Sequence, residues 1–273
     1  SSNAWGNFLV GRHDTPLKLS TLPLDLFHDT LADYRYTVGF EDIRGDNSLF
    51  YLSPSLWGLR FAGATLVGGG ANFTGSYDPA ADSLASGWST ALIYQRGPFY
   101  ASAAYEFFDQ AFWASQDGAI DMVHGLFATN ETKWRLGLAL LDWNGITLTG
   151  IYESQENVRG MAVDADASRW QIQAGYTFGN NQLKAMYGSA DLGACADPWN
   201  IGYLYTCGVG KLAANFGDLL TGLGDQQNKH TWALGLDHNF SRRTKIYALY
   251  TAVDDEREDA DWSGFSLGLM HSF

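Results

Sequence analysis

The sequence lacks any uninterrupted run of about 18 apolar residues, the length that a membrane-spanning helix needs. Basic residues are also scarce, since 17 Lys and Arg stand against 30 Asp and Glu and give a formal charge of -13. Phosphate binding depends on clustered Lys and Arg, so this balance argues against a nucleic-acid partner. Transmembrane helices and nucleic-acid binding are therefore excluded at the outset.

Nothing at the N-terminus resembles a signal peptide, and proline is rare. Residues 1–4 carry neither the basic region nor the apolar core of a signal peptide, so we expect that such a segment was removed or that the chain begins partway into its parent. There are only 6 Pro, whereas 31 Gly and an aromatic fraction of 15% favour a β architecture. Strands of a membrane barrel escape a search for apolar runs, because half of their residues face a polar lumen.

Two-residue alternation is the clearest pattern that is present. In 133–140, Trp and Leu alternate with charged or small residues, and 169–178, 232–240 and 262–273 repeat the pattern. Successive side chains of a strand point to opposite faces, so each segment has one apolar face and one polar or small face. Followed along the whole chain, the alternation predicts twelve strands.

The connections between these strands differ in length in a regular way. Five tight connections alternate with six long ones, which fall near 13–46, 68–87, 109–131, 155–168, 189–228 and 254–261. A soluble β-sandwich, the alternative fold, gives no reason for this sorting, whereas a membrane barrel has short periplasmic turns and long outer loops. Aromatic residues at the strand ends suit two interfacial girdles. We therefore predict an all-β protein, a transmembrane antiparallel β-barrel that forms a single domain over 1–273.

The polar faces of the strands predict the wall of a water-filled lumen. By alternation, the charged residues that line it are Arg60, Glu106, Arg135, Glu153, Arg169, Lys184 and Asp237. Charges of both signs favour a general polar path over a dedicated binding site.

The connection 13–46 has no clear helix or strand period. Connections of this length without regular structure are rare in compact domains, and those that occur are usually functional. We predict that it folds into the pore and narrows it.

Four segments resemble the general diffusion porins of Gram-negative outer membranes. They are WGNFLVGRHDTP at 5–16, RGDNSLFYLSP at 44–54, SRRTKIYALY at 241–250 and GFSLGLMHSF at 264–273. The resemblance implies a homotrimer of sixteen-stranded barrels in the outer membrane, and it implies that the strand 262–273 ends in an assembly signal with Phe273. In that family, the segment like 11–16 ends the fifth strand, so this chain is expected to hold strands five to sixteen. A genuine twelve-strand barrel is the alternative, and it would have to pair the first strand with the last.

The resemblance also implies that acidic groups on an inward-folded loop face basic groups on the wall. The candidate constriction residues are Asp14, Asp25, Asp29, Asp33, Glu41, Asp42, Arg12, Arg35 and Arg44. We expect passive diffusion of small hydrophilic solutes and ions, with a weak preference for cations. Lipid and lipopolysaccharide are the expected surroundings, and no cofactor is expected.

Two further features leave alternatives open. The acidic outer-loop residues Asp254, Asp255, Glu258 and Asp259 could hold Ca²⁺, but they lack the glycine and ligand spacing of an EF-hand, which favours a solubilising role. Cys195 and Cys207 are the only two cysteines. Passage through an oxidising periplasm predicts a disulfide between them, and a metal pair is the less favoured alternative.

The rival functions are an outer-membrane barrel hydrolase and a non-conducting structural barrel. The six His are scattered along the chain, and no Gly-x-Ser-x-Gly elbow is present. A channel is therefore the favoured function.

Overall fold

The computed structural model describes residues 5–67, 84, 86–109, 112, 130–158, 166–194, 226–241, 243–256 and 260–271. The strands are β1 (Asn7–Asp14), β2 (Arg44–Leu52), β3 (Leu59–Leu66), β4 (Gly87–Arg96), β5 (Phe99–Phe108), β6 (Glu131–Trp143), β7 (Ile146–Glu156), β8 (Ala167–Phe178), β9 (Asn181–Ala194), β10 (Gln226–Asn239), β11 (Thr244–Asp255) and β12 (Trp262–His271). The prediction of twelve strands is confirmed. Within these ranges, no helix is both long and apolar enough to cross a bilayer.

All twelve strands form one sheet, in which each strand pairs antiparallel with its neighbours in the sequence. Across the described residues, no pairing joins β1 to β12, so the chain does not adopt the closed twelve-strand alternative. Val10 on β1 is 85% exposed and Leu267 on β12 is 70% exposed. As the first and last strands in the pairing order, β1 and β12 are the two edges of the sheet.

The two faces of the sheet differ as the alternation predicts. On one face, Leu138 is 67% exposed and Ile172 is 56% exposed, together with many other large apolar side chains. Apolar surface of this extent marks contact with lipid or with a partner. On the other face, Arg135 and Glu153 are buried. The apolar face is the outer face, and the buried polar face is the inner face.

A regular band of Trp and Tyr crosses the outer face. Four Trp–Tyr pairs recur, one in each hairpin from β4 to β11. They are Trp88–Tyr105, Trp134–Tyr152, Trp170–Tyr187 and Trp232–Tyr250, with ring centroids 5.1, 5.1, 5.7 and 5.3 Å apart. Each Trp follows a long connection near the start of its hairpin, so the four pairs lie at one level. Such rings suit the interface between lipid and water.

The connection between β1 and β2 is 15–43, shorter than the predicted 13–46, because the β ladder continues to the pair Asp14 and Arg44. Although its sequence shows no clear helical period, this segment is partly helical. It contains α1 (Pro16–Thr21), a 3₁₀ turn (Leu22–Leu24) and α2 (Tyr34–Thr37). Thr15 caps α1, and the Asp33 side chain caps α2 by accepting from the Arg35 backbone N–H at 2.9 Å. We call 15–43 the inner loop.

The inner loop packs against the inner face, and the hydrophobic core lies between them. Three clusters follow one another across the sheet. Leu17 packs with Phe50 and Phe108, Leu24 and Tyr34 pack with Tyr100 and Ile151, and Phe27 packs with Met186 and Leu249. The loop is thus a packed layer on the wall.

Candidate pore constriction

Glycines on the wall create the space in which the inner loop sits. On every second strand from β6 to β12, an inner-face glycine lies directly beneath an apolar loop side chain. The pairs are Gly137–Leu24, Gly175–Leu26, Gly235–Phe27 and Gly264–Leu31, where an added Cβ would lie 2.6, 3.2, 2.9 and 2.7 Å from the loop side chain. Gly188 on β9 lies in the same way beneath Val38, at 2.7 Å. A larger residue at any of these five positions would overlap the loop, so these five glycines define its seat.

Arg135 on β6 ties both arms of the inner loop to the wall. Its Nη1 donates to Thr21 Oγ1 at 3.0 Å, in the part of the loop that follows β1 (the outgoing arm). It also donates to Asp42 Oδ1 at 2.6 Å, in the part that leads into β2 (the returning arm). Its Nε donates to Glu153 Oε2 on β7 at 2.7 Å, and its guanidinium lies 5.2 Å from the Phe40 ring centroid. The buried cation is therefore compensated by two carboxylates, one from the loop and one from the wall.

Asp42 has a second buried partner in the loop. The Tyr34 hydroxyl donates to Asp42 Oδ2 at 2.5 Å. Burial, with a further contribution from the neighbouring Asp42 charge, raises the pKa of Tyr34 well above its usual range. Tyr34 therefore stays neutral and keeps donating, which holds α2 to the returning arm.

Lys133 makes a parallel anchor one step along the same face of β6. Its Nζ lies 3.1 Å from Glu41 Oε2 and 2.7 Å from Glu131 Oε1. Burial opposes ionisation of Glu41, but the charges of Lys133 and Arg169 outweigh it and lower the pKa of Glu41 to about 2. The Glu41 side chain keeps 47% of its surface exposed, so solvent screens this interaction.

The middle of the inner loop is held by β8 and β9. Gln173 Oε1 accepts from the Leu26 backbone N–H at 2.6 Å, and Gln173 Nε2 donates to Asp25 Oδ1 at 2.9 Å. Lys184 Nζ donates to the Leu26 carbonyl at 2.9 Å and pairs with Asp237 Oδ1 at 2.8 Å. Satisfying both backbone groups of Leu26 fixes the path of the loop across the wall.

The structure divides the predicted constriction residues into buried and exposed sets. The Asp25 and Asp33 residues are 7% and 2% exposed, whereas the Asp29 side chain is 78% exposed. Glu41 and Arg35 are also exposed, and the Asp42 side chain is buried against Arg135. Arg12, Asp14 and Arg44 lie outside the loop, in β1 and β2, where Arg12 pairs with Asp46 at 3.4 Å and Arg44 lies 3.9 Å from Asp14.

The predicted pore-lining residues lie on the inner face, but the inner loop covers most of them. Arg60 is exposed. The buried members of the set are Glu106, Arg135, Glu153, Arg169, Lys184 and Asp237, each between 0% and 4% exposed. Their charges are directed into the contact between loop and wall. Lys133, which the prediction left out, shares the face of Arg135 by alternation, and that spacing could have identified it.

Other predicted positions lie partly or wholly outside the described residues. Cys195, Cys207, Glu258 and Asp259 are all outside them. Asp254 and Asp255, predicted to lie in the connection before β12, are the last two residues of β11. Asp254 is exposed and Asp255 is buried, and the Asp255 backbone N–H donates to Asp261 Oδ1 at 2.7 Å.

A group of metal-ligand type is present in the inner loop. Within the described part of the chain, Asp25, His28 and Asp33 bring one ligand atom each to within 4.8 Å of one another. The sequence prediction included both carboxylates but not the histidine.

Comparison with known proteins agrees with this architecture. The sequence model of the Gram-negative porin family matches residues 1–259. Among proteins with curated descriptions, none matches the sequence.

Solved structures share the fold at low sequence identity. The anion-selective porin from Comamonas acidovorans matches with a TM-score of 0.65 and 17% identity, covering 100% of this chain and 76% of that one. OmpF of Salmonella typhi, in complex with daunomycin, matches with a TM-score of 0.63 and 14% identity, and the match covers 98% of this chain and 74% of that one. The trimer form of OmpT, an outer membrane protein of Vibrio cholerae, matches with a TM-score of 0.57 and 13% identity, and the match covers 98% of this chain and 77% of that one.

The family match accounts for both faces of the sheet. An outer-membrane barrel needs an apolar belt toward lipid and a polar interior, and the exposed outer face and charged inner face have these properties. Family membership also favours a channel over a hydrolase. The chain belongs to the Gram-negative porin family, β-barrel diffusion channels of the outer membrane.

Proposed function

We propose that small hydrophilic solutes and ions pass over the exposed side of the inner loop, and that the channel weakly prefers cations. The observation that carries this proposal is the charge left exposed on the loop. Residues 15–43 contain five carboxylates and two Lys or Arg, a formal sum of -3. The exposed charges of the loop are Asp29, Glu41 and Arg35, and two of these three are acidic.

The burial of the wall charges supports this proposal. Arg135 and Lys133 are each paired with a wall carboxylate and a loop carboxylate, so they add little positive potential to the lumen. Charges that face the water at a narrow point set ion preference, and their reach in physiological salt is only about 8 Å. Asp29 is therefore the residue that we propose contributes most to cation preference.

Substitution of Asp29 tests the assignment. In Asp29→Asn, we expect the reversal potential across a planar bilayer with a KCl gradient to move toward the value of a non-selective channel, because the most exposed loop carboxylate is removed. The matched control is Asp46→Asn, which removes a carboxylate that is 53% exposed on β2, outside the loop. Equal reversal potentials in wild type and Asp29→Asn would rule out the assignment.

Assembly and surroundings belong to the same proposal. The apolar outer face and the trimer form of the Vibrio cholerae neighbour support a homotrimer in lipid with lipopolysaccharide around the outer loops. Calcium binding at the acidic segment that begins at the end of β11, where Asp254 is exposed, also stays a prediction.

A further inference from the structure

Asp25 and Asp33 stand at the two ends of a compact turn in the inner loop. The Phe27 backbone N–H donates to Asp25 Oδ1 at 3.0 Å, and the Asp29 backbone N–H donates to Asp33 Oδ2 at 3.0 Å. Between them, the Thr30 backbone N–H donates to the Phe27 carbonyl at 3.1 Å. These bonds hold the two carboxylates near each other before any ligand arrives.

The two carboxylates lack a strong cationic partner. Glu41 pairs with Lys133, and Asp42 pairs with Arg135, but neither Asp25 nor Asp33 forms an ion pair with Lys or Arg anywhere in the described ranges. Gln173 Nε2 donates to Asp25 Oδ1 at 2.9 Å, but this neutral amide adds no positive charge beside the pair. Two adjacent buried carboxylates are costly unless a cation compensates them.

His28 lies beside this pair, and each of its ring nitrogens is within ion-pairing distance of a carboxylate oxygen. Nδ1 is 3.5 Å from Asp33 Oδ2, and Nε2 is 3.4 Å from Asp29 Oδ2. Neither contact has the geometry of a hydrogen bond, and His28 makes no other hydrogen bond to the described residues. Its side chain is 38% exposed, so the imidazole can turn without breaking a hydrogen bond to the described residues.

We propose that Asp25, His28 and Asp33 bind a divalent first-row transition-metal ion within the turn 25–33 of the inner loop. The three ligand atoms already lie within 4.8 Å of one another. An ion such as Zn²⁺ holds nitrogen and oxygen ligands at about 2.0–2.2 Å, so the three ligand atoms must move closer together when it binds. A small turn of the exposed imidazole brings the His28 nitrogen to that distance. An imidazole with two carboxylates suits a transition metal better than Ca²⁺, which takes oxygen ligands only.

The bound ion has a consequence for permeation, and this consequence rests on the proposed function. A divalent charge beside Asp29 opposes the negative potential of the exposed loop. Metal binding therefore lowers cation preference, and the pore becomes responsive to the metal content of the medium.

Direct binding of Zn²⁺ tests the site independently of conductance. Untagged protein is refolded in detergent, stripped with chelator and titrated with Zn²⁺ by calorimetry, and we expect saturable binding of one ion per chain. His28→Ala should weaken binding at least about tenfold, whereas the matched control His230→Ala, on exposed β10 surface, should bind as wild type does. No saturable binding, equal affinity in His28→Ala, or displacement of Zn²⁺ by an equal concentration of Ca²⁺ would overturn the proposal.

Bilayer recordings separate this inference from the proposed selectivity. Zn²⁺ should move the reversal potential of wild type toward the non-selective value and leave His28→Ala unchanged. If Zn²⁺ binds but Asp29→Asn has no effect on selectivity, the metal site stands and the selectivity assignment fails. If Asp29→Asn is effective and Zn²⁺ does not bind, only the metal site fails.

Discussion

Arg135 shows how a single buried charge can shape this pore. Its guanidinium contacts both arms of the inner loop and a wall carboxylate, and it is 0% exposed. Removing one member of a buried ion pair leaves the others uncompensated, which typically costs about 3–5 kcal/mol. The residue therefore contributes to pore shape by holding the loop, although water does not reach it.

We expect Arg135→Met to lower the free energy of unfolding by about 3–5 kcal/mol, since Asp42 and Glu153 lose their shared cation. Urea unfolding in lipid vesicles, followed by tryptophan fluorescence, measures this change. The control is Arg243→Met, at an exposed turn between β10 and β11. A similar loss in both variants would show that the ion-pair network is not the cause.

Glu41 gives the loop anchor a defined pH dependence. Its pKa in the folded protein is about 2, below the ordinary value of about 4.3, because Lys133 and Arg169 favour the charged form. The contribution of ionised Glu41 to the free energy of unfolding is therefore complete above about pH 5, and it is lost as the pH falls toward 2.

The difference in unfolding free energy between wild type and Glu41→Gln should be constant above about pH 5 and should shrink between pH 5 and 2. Unfolding titrations of the two proteins at a series of pH values measure that difference directly. A difference that does not vary with pH would contradict the Lys133–Glu41 interaction.

At the scale of elements, the inner loop and the wall strands fit by shape. The Leu24 side chain of the 3₁₀ turn packs against Gly137 on β6, where an added Cβ would lie 2.6 Å from it. At Gly150 on β7, by contrast, an added Cβ would meet nothing nearer than 3.8 Å. The two glycines lie in neighbouring strands, but Gly137 is on the inner face beneath the loop and Gly150 is on the outer face, away from it.

We expect Gly137→Val to destabilise the protein by about 1–3 kcal/mol and to expose the inner loop to added protease, because the valine overlaps Leu24. Gly150→Val, which introduces the same side chain in open space, should leave both properties near wild type. Unfolding titrations and limited proteolysis provide the measurements. Equal behaviour of the two variants would mean that the seat tolerates larger residues.

The strands could be predicted from the sequence, and most of the loop structure could not. Alternation in 133–140 identified the faces of β6 correctly, because a half-buried strand imposes a period of two. The helices α1 and α2 contain six and four residues, too few to produce a helical period. Thr15 followed by Pro16 was the available signal, since this pair is typical of a helix start.

The partners of the loop were beyond sequence reasoning for a different reason. Arg135 and Asp42 are 93 positions apart, and nothing in either local pattern specifies that the two meet. The path of the loop over the wall decides which carboxylates are buried. For this reason the prediction treated Asp25, Asp29 and Asp33 alike, while the structure exposes only Asp29.

At the scale of the whole molecule, the sheet has three chemically distinct regions: the Trp–Tyr pairs, the apolar outer face and the charged inner face. The Trp–Tyr pairs mark one boundary of the lipid-facing belt, and the apolar outer face forms the belt itself. The inner face contributes buried ion pairs, and the inner loop covers them. Selectivity in this arrangement depends on which loop charges remain exposed after the loop has packed.

The glycine seat also constrains the order in which the channel is completed. The inner loop follows β1 directly in the sequence, yet Leu31 rests on Gly264 in β12, the last strand of the sheet. That contact can form only after β12 has joined the sheet. β12 therefore completes the seat of the inner loop as well as forming an edge of the sheet, so the loop is not fully seated before that strand is in place.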